Sequence, residues 1–229
     1  MDTSISKKLN CVSLICLLLG TLVTAQALTP QELATFMQLA NSGVAGSYVP
    51  LATLSAQFQA EATALKSWAS ELHGSGGDVK IQAAINQHKA QFFQPISLSV
   101  LEAKYKAAVA AGYKGTLDEF AKVLRGATVA ERRAALTQMN QIGLYKVMLE
   151  LAGIFAAASA QAAAMARGRG AHLVTASYYY FLLPAPACKE LLWAGALFAY
   201  SGLLLDGLGI GLAFQLISVG VGVGYGYEC

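Results

Sequence analysis

The sequence predicts a mainly α-helical protein, in which an exported helical bundle is followed by a hydrophobic, glycine-rich, membrane-associated helical region. Three observations support this fold class: an N-terminal leader, repeated helix-capping motifs in the first half, and a last stretch of about forty residues almost without charge. Between Leu191 and Tyr227 the one charged side chain is Asp206. Because water-soluble surfaces need charge, this segment must lie in lipid, in a protein core or in an assembly.

The first 27 residues have the three parts of a secretory signal peptide. Lys7 and Lys8 form a basic region, residues 11–23 form an apolar core, and an Ala-Gln-Ala sequence ends at Ala27. Small residues at these positions are typical of signal-peptidase sites. We therefore expect cleavage after Ala27 and an exported protein, either held in the cell-envelope membrane or secreted.

Capping motifs mark the starts of helices in the region 28–142, which we predict to be an extracytoplasmic helical domain. Each motif places Ser or Thr three residues before Glu, so that the hydroxyl and the carboxylate each satisfy a backbone amide. The motifs are Thr29–Glu32, Ser99–Glu102, Thr116–Glu119 and Thr128–Glu131. The predicted helices are 30–41, 51–72, 79–92 (capped by Asp78), 100–111, 117–125 and 129–166. Arg132 and Arg133 are expected on a solvated helix face.

Residues 143–229 form the predicted hydrophobic region, with two to four candidate membrane segments. The apolar half of the long helix, 151–166, fits either a buried bundle helix or a weak membrane span. The segments 191–205 and 207–227 follow, joined at Asp206. This carboxylate is either an intramembrane charge or, as the turn chemistry favours, the polar tip of a helical hairpin.

Glycine and cysteine spacing in this region suggests how its segments pack. Gly207 and Gly211, like Gly220 and Gly224, have the GxxxG spacing of close helix contacts. Residues 219–227 also alternate with period two, as in a strand, but backbone groups in lipid are best satisfied within a helix. Cys188 and Cys229 remain after cleavage and can form one disulfide or stay as two buried thiols.

No catalytic, cofactor or metal motif is present, so we expect a non-enzymatic protein whose partners are membrane lipid and another protein or a second copy. The small net charge, +3 for the full chain, argues against nucleic acid. One hypothesis is an envelope membrane protein that presents its helical domain to a partner. The alternative is a secreted pore-former that stores an apolar hairpin, an architecture that resembles pore-forming colicin domains without any matching motif.

Overall fold

The structure, a computed structural model, describes residues 28–169, 173–174, 183–205 and 210–229. The predicted signal peptide and the candidate residues Asp206 and Gly207 lie outside these ranges. The described part is mainly helical, which confirms the predicted helical class. Residues 219–227, for which the sequence also allowed a strand, belong to a helix.

Ten helices, a 3₁₀ turn and two short strands make up the described chain. In chain order they are α1 (Pro30–Ser42), β1 (Val49–Pro50), α2 (Leu51–Gly74), α3 (Gly77–Gln87), the 3₁₀ turn (Gln91–Phe93), α4 (Leu98–Ala110), α5 (Leu117–Phe120), α6 (Lys122–Gly126), α7 (Val129–Ile142), α8 (Leu144–Arg169), β2 (Leu173–Val174), α9 (Ala185–Leu204) and α10 (Gly211–Glu228). The two strands pair antiparallel over two residues each.

Three of the four predicted capping motifs form as expected. The hydroxyls of Thr29, Thr116 and Thr128 accept from the backbone N–H three residues on, and the Glu at that position accepts from the cap residue in return. The prediction for Ser99 is wrong, because α4 begins two residues earlier than predicted and the hydroxyl of Ser97 accepts from the backbone N–H of Val100.

Two further local predictions are corrected by backbone geometry. Asp78 does not cap α3: Gly76, in the left-handed conformation, precedes the helix and Asp78 lies in its first turn. The helix predicted over 129–166 is two helices, because Gly143 adopts a positive φ of 88° between α7 and α8. An L side chain rarely adopts this conformation, so glycine allows the chain to turn here. The 117–125 helix is likewise divided into α5 and α6.

The long helices α2 and α8 pack lengthwise and form one wall of the bundle. Two buried serines join them: the hydroxyls of Ser55 and Ser159 each donate to the other residue's backbone carbonyl, both at 2.8 Å. Apolar side chains from 28–142 and from 143–229 share one continuous core cluster. The two predicted regions therefore pack against each other within one hydrophobic core.

Candidate functional site

The apolar helices α9 and α10 pack antiparallel as a hairpin inside the bundle. Nearly every described residue from 191 to 224 is buried or half-buried. Helices that are hydrophobic on all sides need burial on all sides, in lipid or in protein. In this structure α1, α6, α7 and α8 supply the covering surface, with further contacts from α4.

Aromatic contacts connect the hairpin to itself and to the surrounding helices. Phe198 of α9 meets Phe214 of α10 edge-on, with ring centroids 5.1 Å apart. Trp68 of α2 also packs edge-on against Phe214, with ring centroids 5.6 Å apart. All three rings are essentially inaccessible to water. Aromatic pairs of this geometry add to the stability given by apolar burial, so the centre of the hairpin is tightly packed.

Two buried polar side chains of α10 donate hydrogen bonds to backbone carbonyls of α9, whereas the buried hydroxyl of Ser201 in α9 has no partner among the described residues. Gln215 Nε2 donates to the carbonyl of Ala199 at 2.5 Å, and Ser218 Oγ donates to the carbonyl of Gly195 at 3.0 Å. Tyr200 links α9 to two surrounding helices: its Oη donates to Leu124 O of α6 at the limiting distance of 3.5 Å, and Arg132 of α7 lies over its ring. The hydrogen bonds of Gln215 and Ser218 therefore lie within the α9–α10 pair.

The two predicted cysteines lie at the open end of the hairpin, opposite the α9–α10 connection. The Sγ atoms of Cys188 and Cys229 are 2.10 Å apart, which is disulfide distance, and their Cα atoms are 5.7 Å apart. Cys188 is in the first turn of α9 and Cys229 directly follows α10. This covalent link joins the beginning of one hairpin helix to the end of the other.

Small residues allow other helices to approach α10 closely. A Cβ atom placed on Gly220 would lie 3.3 Å from Leu39 Cδ2 of α1, and one on Gly224 would lie 3.4 Å from Phe155 of α8. Gly211 contributes through its backbone, since its carbonyl would be 2.8 Å from a Cβ on Gly202 of α9. Gly211, Gly220 and Gly224, three of the glycines singled out by their spacing, thus lie at helix contacts inside a protein core.

Sequence reasoning missed a buried acid that faces the hairpin. Glu61 of α2 has no exposed surface, and neither carboxylate oxygen has a hydrogen-bond partner. Its Oε1 atom would lie 3.4 Å from a Cβ on Gly220, so the carboxyl group is placed against the middle of α10. Burial raises the pKa of Glu61 well above its ordinary value, because the charged form has lost its hydration.

The prediction for Arg132 is wrong, because its side chain is only 7% exposed and reaches inward from α7. Its guanidinium carbon lies 4.5 Å from the centre of the Tyr200 ring, and Nη1 donates to the carbonyls of Phe92 and Gln94. Arg133, its neighbour, instead lies over the Phe93 ring near the surface. The sequence signal for this difference is weak, since both positions look polar on a helix.

Conventional active-site chemistry has little support in the described residues. Among them, no group of three or more His, Cys, Asp or Glu side chains could hold a metal ion. The Nδ1 atom of His73 lies 2.9 Å from Oδ2 of Asp78, and the imidazole ring stacks on the ring of Tyr145. These contacts join α2 to α3 and α8. No family model, curated protein or solved structure matches this chain. The hairpin is the feature from which function is best inferred.

Proposed function

We propose that this protein is a secreted, non-enzymatic bundle that stores an apolar helical hairpin and inserts it into a membrane to form a pore. The observation that carries this proposal is the position of α9 and α10 inside a shell of more polar helices. The same apolar surface can be buried by protein in one state and by lipid in the other. Membrane lipid is therefore the proposed partner.

The lengths of α9 and α10 fit this proposal, whereas the combined test of length and apolar composition is passed by α8 alone among the described helices. Helix α9 has 20 residues and α10 has 18. At 1.5 Å per residue each is about 27–30 Å long, close to the roughly 30 Å thickness of a bilayer's hydrocarbon core. The charged pair Lys189 and Glu190 lies in the first turns of α9, beside the cysteine link. That end would remain at the membrane surface while the opposite end enters.

Dye leakage from liposomes, combined with tryptophan quenching, tests the proposal. The chain has two tryptophans, so Trp68→Phe leaves Trp193 of α9 as the single reporter. We expect leakage and, with brominated lipid, quenching of Trp193 fluorescence. A protein that neither permeabilises any of several lipid compositions nor shows quenching would overturn the proposal.

A matched pair of lysine substitutions makes the test sharper. Leu212 and Leu192 are both half-buried, so the folded bundle can accommodate either change. Leu212 lies near the connection between the helices, the end that must cross the bilayer, whereas Leu192 lies near the cysteine link. A lysine at the centre of a membrane helix costs about 2.5–3.5 kcal/mol, and a lysine at position 212 must pass the centre of the bilayer as the leading end crosses. We therefore expect Leu212→Lys to suppress leakage and Leu192→Lys to retain it.

A second candidate is an envelope membrane protein that presents its helical domain to a protein partner. One observation favours it: residues Leu144–Arg167 of α8 form, within the described residues, the one helix long and apolar enough to cross a membrane. Half of this segment is nevertheless buried inside the bundle. Carbonate extraction separates the two candidates, because an anchored protein stays in the membrane pellet before any trigger and a stored hairpin is released with the supernatant.

A further inference from the structure

A cavity of about 390 Å³ opens to solvent between α4, α6, α7 and α9. Its size falls in the range of small-molecule sites. Six of the nine described residues that line it are apolar: Pro95, Ile96, Leu98, Leu101, Leu124 and Ala127. Three polar side chains complete the lining: Arg125, Arg132 and Tyr200. An apolar chamber with a few convergent polar groups is the usual form of a ligand pocket.

Arg132 supplies a buried positive charge to this cavity. The guanidinium carbon lies 4.5 Å from the centre of the Tyr200 ring, and the guanidinium also forms a hydrogen bond with the Tyr200 hydroxyl. Both backbone carbonyls that it meets, those of Phe92 and Gln94, accept from the same nitrogen, Nη1. The Nε atom is buried and has no hydrogen-bond partner. This donor capacity is therefore incompletely used.

The charge of Arg132 also lacks a carboxylate partner among the described residues. The described residues of the cavity lining include no Asp or Glu, and the second arginine, Arg125, is paired with the exposed Asp118. Buried charges in proteins are normally paired, because an uncompensated charge is costly in an apolar environment. Tyr200 adds a hydroxyl whose own bond to Leu124 O is long, at 3.5 Å.

We propose that this cavity binds a free amphipathic monocarboxylate, with its carboxylate at Arg132 and Tyr200 and its hydrocarbon chain along the apolar wall. Carboxylate and guanidinium match in geometry and charge, and such hydrogen bonds are about twice as strong as neutral ones. Because Tyr200 belongs to α9 and Arg132 to α7, the ligand would bridge the hairpin and a surrounding helix. Binding therefore favours the bundled form over any form in which α9 has left.

Decanoate is a suitable probe. Decan-1-ol is the matched compound without the charge, and acetate is the matched compound without the long hydrocarbon chain. We expect saturable binding of decanoate in isothermal titration calorimetry, accompanied by a rise in the unfolding temperature. Acetate and decan-1-ol should each bind at least about tenfold more weakly, since each keeps only one of the two interactions. Equal binding of decanoate and decan-1-ol would overturn the role given to Arg132.

Two variants and a control separate the site from general effects on folding. Arg132→Gln should weaken decanoate binding at least about tenfold. Since Arg132 also holds two backbone carbonyls, Ile96→Trp provides a second test that fills the cavity and leaves the arginine in place. Arg133→Gln, on the adjacent residue outside the cavity, should bind like the wild type. Unchanged binding in a folded Ile96→Trp variant would place the ligand elsewhere and refute the proposal.

Discussion

Replacing Glu61 should stabilise the bundle, although the residue lies at the centre of the fold. Both oxygens of its carboxyl group are buried without a partner, and each unsatisfied buried group costs about 1–3 kcal/mol. Methionine has a similar length, no charge and a flexible side chain that adapts to irregular space. We therefore expect Glu61→Met to raise the free energy of unfolding by at least about 2 kcal/mol at neutral pH.

The same residue predicts how stability changes with pH. The raised pKa means that the folded protein binds more protons than the unfolded chain at pH values between the two pKa values of Glu61. Stability therefore falls as pH rises in this window, by up to about 1.4 kcal/mol per pH unit for one proton. The favourable contribution is complete below the unfolded value of about 4.3 and is lost as the pH rises through the raised folded pKa.

Urea unfolding at a series of pH values measures both effects. In the wild type, the urea concentration at the unfolding midpoint should decrease from acidic to neutral pH. The decrease should be smaller in Glu61→Gln, and the difference between the two proteins is the contribution of Glu61. Glu71→Gln is the matched control, since Glu71 lies on the same helix but is exposed. If the Glu61 and Glu71 variants showed the same pH dependence as the wild type, the buried-carboxyl explanation would be refuted.

Three other substitutions test the packing of the hairpin by equilibrium unfolding. Gly202→Ala should destabilise the protein by about 1–3 kcal/mol, because the new Cβ would lie 2.7 Å from Gln215 Nε2 and 2.8 Å from a backbone carbonyl; no loss would contradict that tight approach. Gly153→Ala, on an open helical surface of α8, should instead stabilise it by about 0.5–1 kcal/mol. Replacing Cys188 and Cys229 by serine opens a link across 41 residues and should cost about 4 kcal/mol in the loop-entropy account. Wild type treated with reductant should match this double variant, and a double variant as stable as the oxidised protein would count against the link.

Helix starts could be predicted from sequence where the determining interactions are local. Thr29, Thr116 and Thr128 each interact with a Glu three residues away, and this geometry depends on little else. The Ser99 prediction was wrong because Ser97, two residues earlier, competes for the same role. Likewise, Gly143 divides a continuous helical pattern, since a single glycine can be tolerated in a helix or can end it.

The buried polar residues could not be predicted, because their burial depends on which helix covers them. Glu61 and Arg132 occur on helices with exposed polar faces, and such positions ordinarily face solvent. The packing of α10 over Glu61 and of Tyr200 over Arg132 is a tertiary arrangement without a local sequence pattern. Composition alone identified the apolar hairpin. The buried polar residues that pack against it, Glu61 and Arg132, could be identified only from the packing of the helices.

In the mechanism proposed above, the neighbours of the hairpin decide the balance between its stored and inserted states. Apolar surface on α9 and α10 is shielded from water by protein in one state and by lipid in the other, so its burial alone favours neither strongly. Release of α10 would return Glu61 to water, so its ionisation favours release, whereas a ligand at Arg132 favours storage. Both effects act on one equilibrium, and their free energies should add. We therefore expect Glu61→Met and decanoate each to slow liposome leakage, and to slow it further together. Leakage that responds to neither would separate pore formation from release of the hairpin.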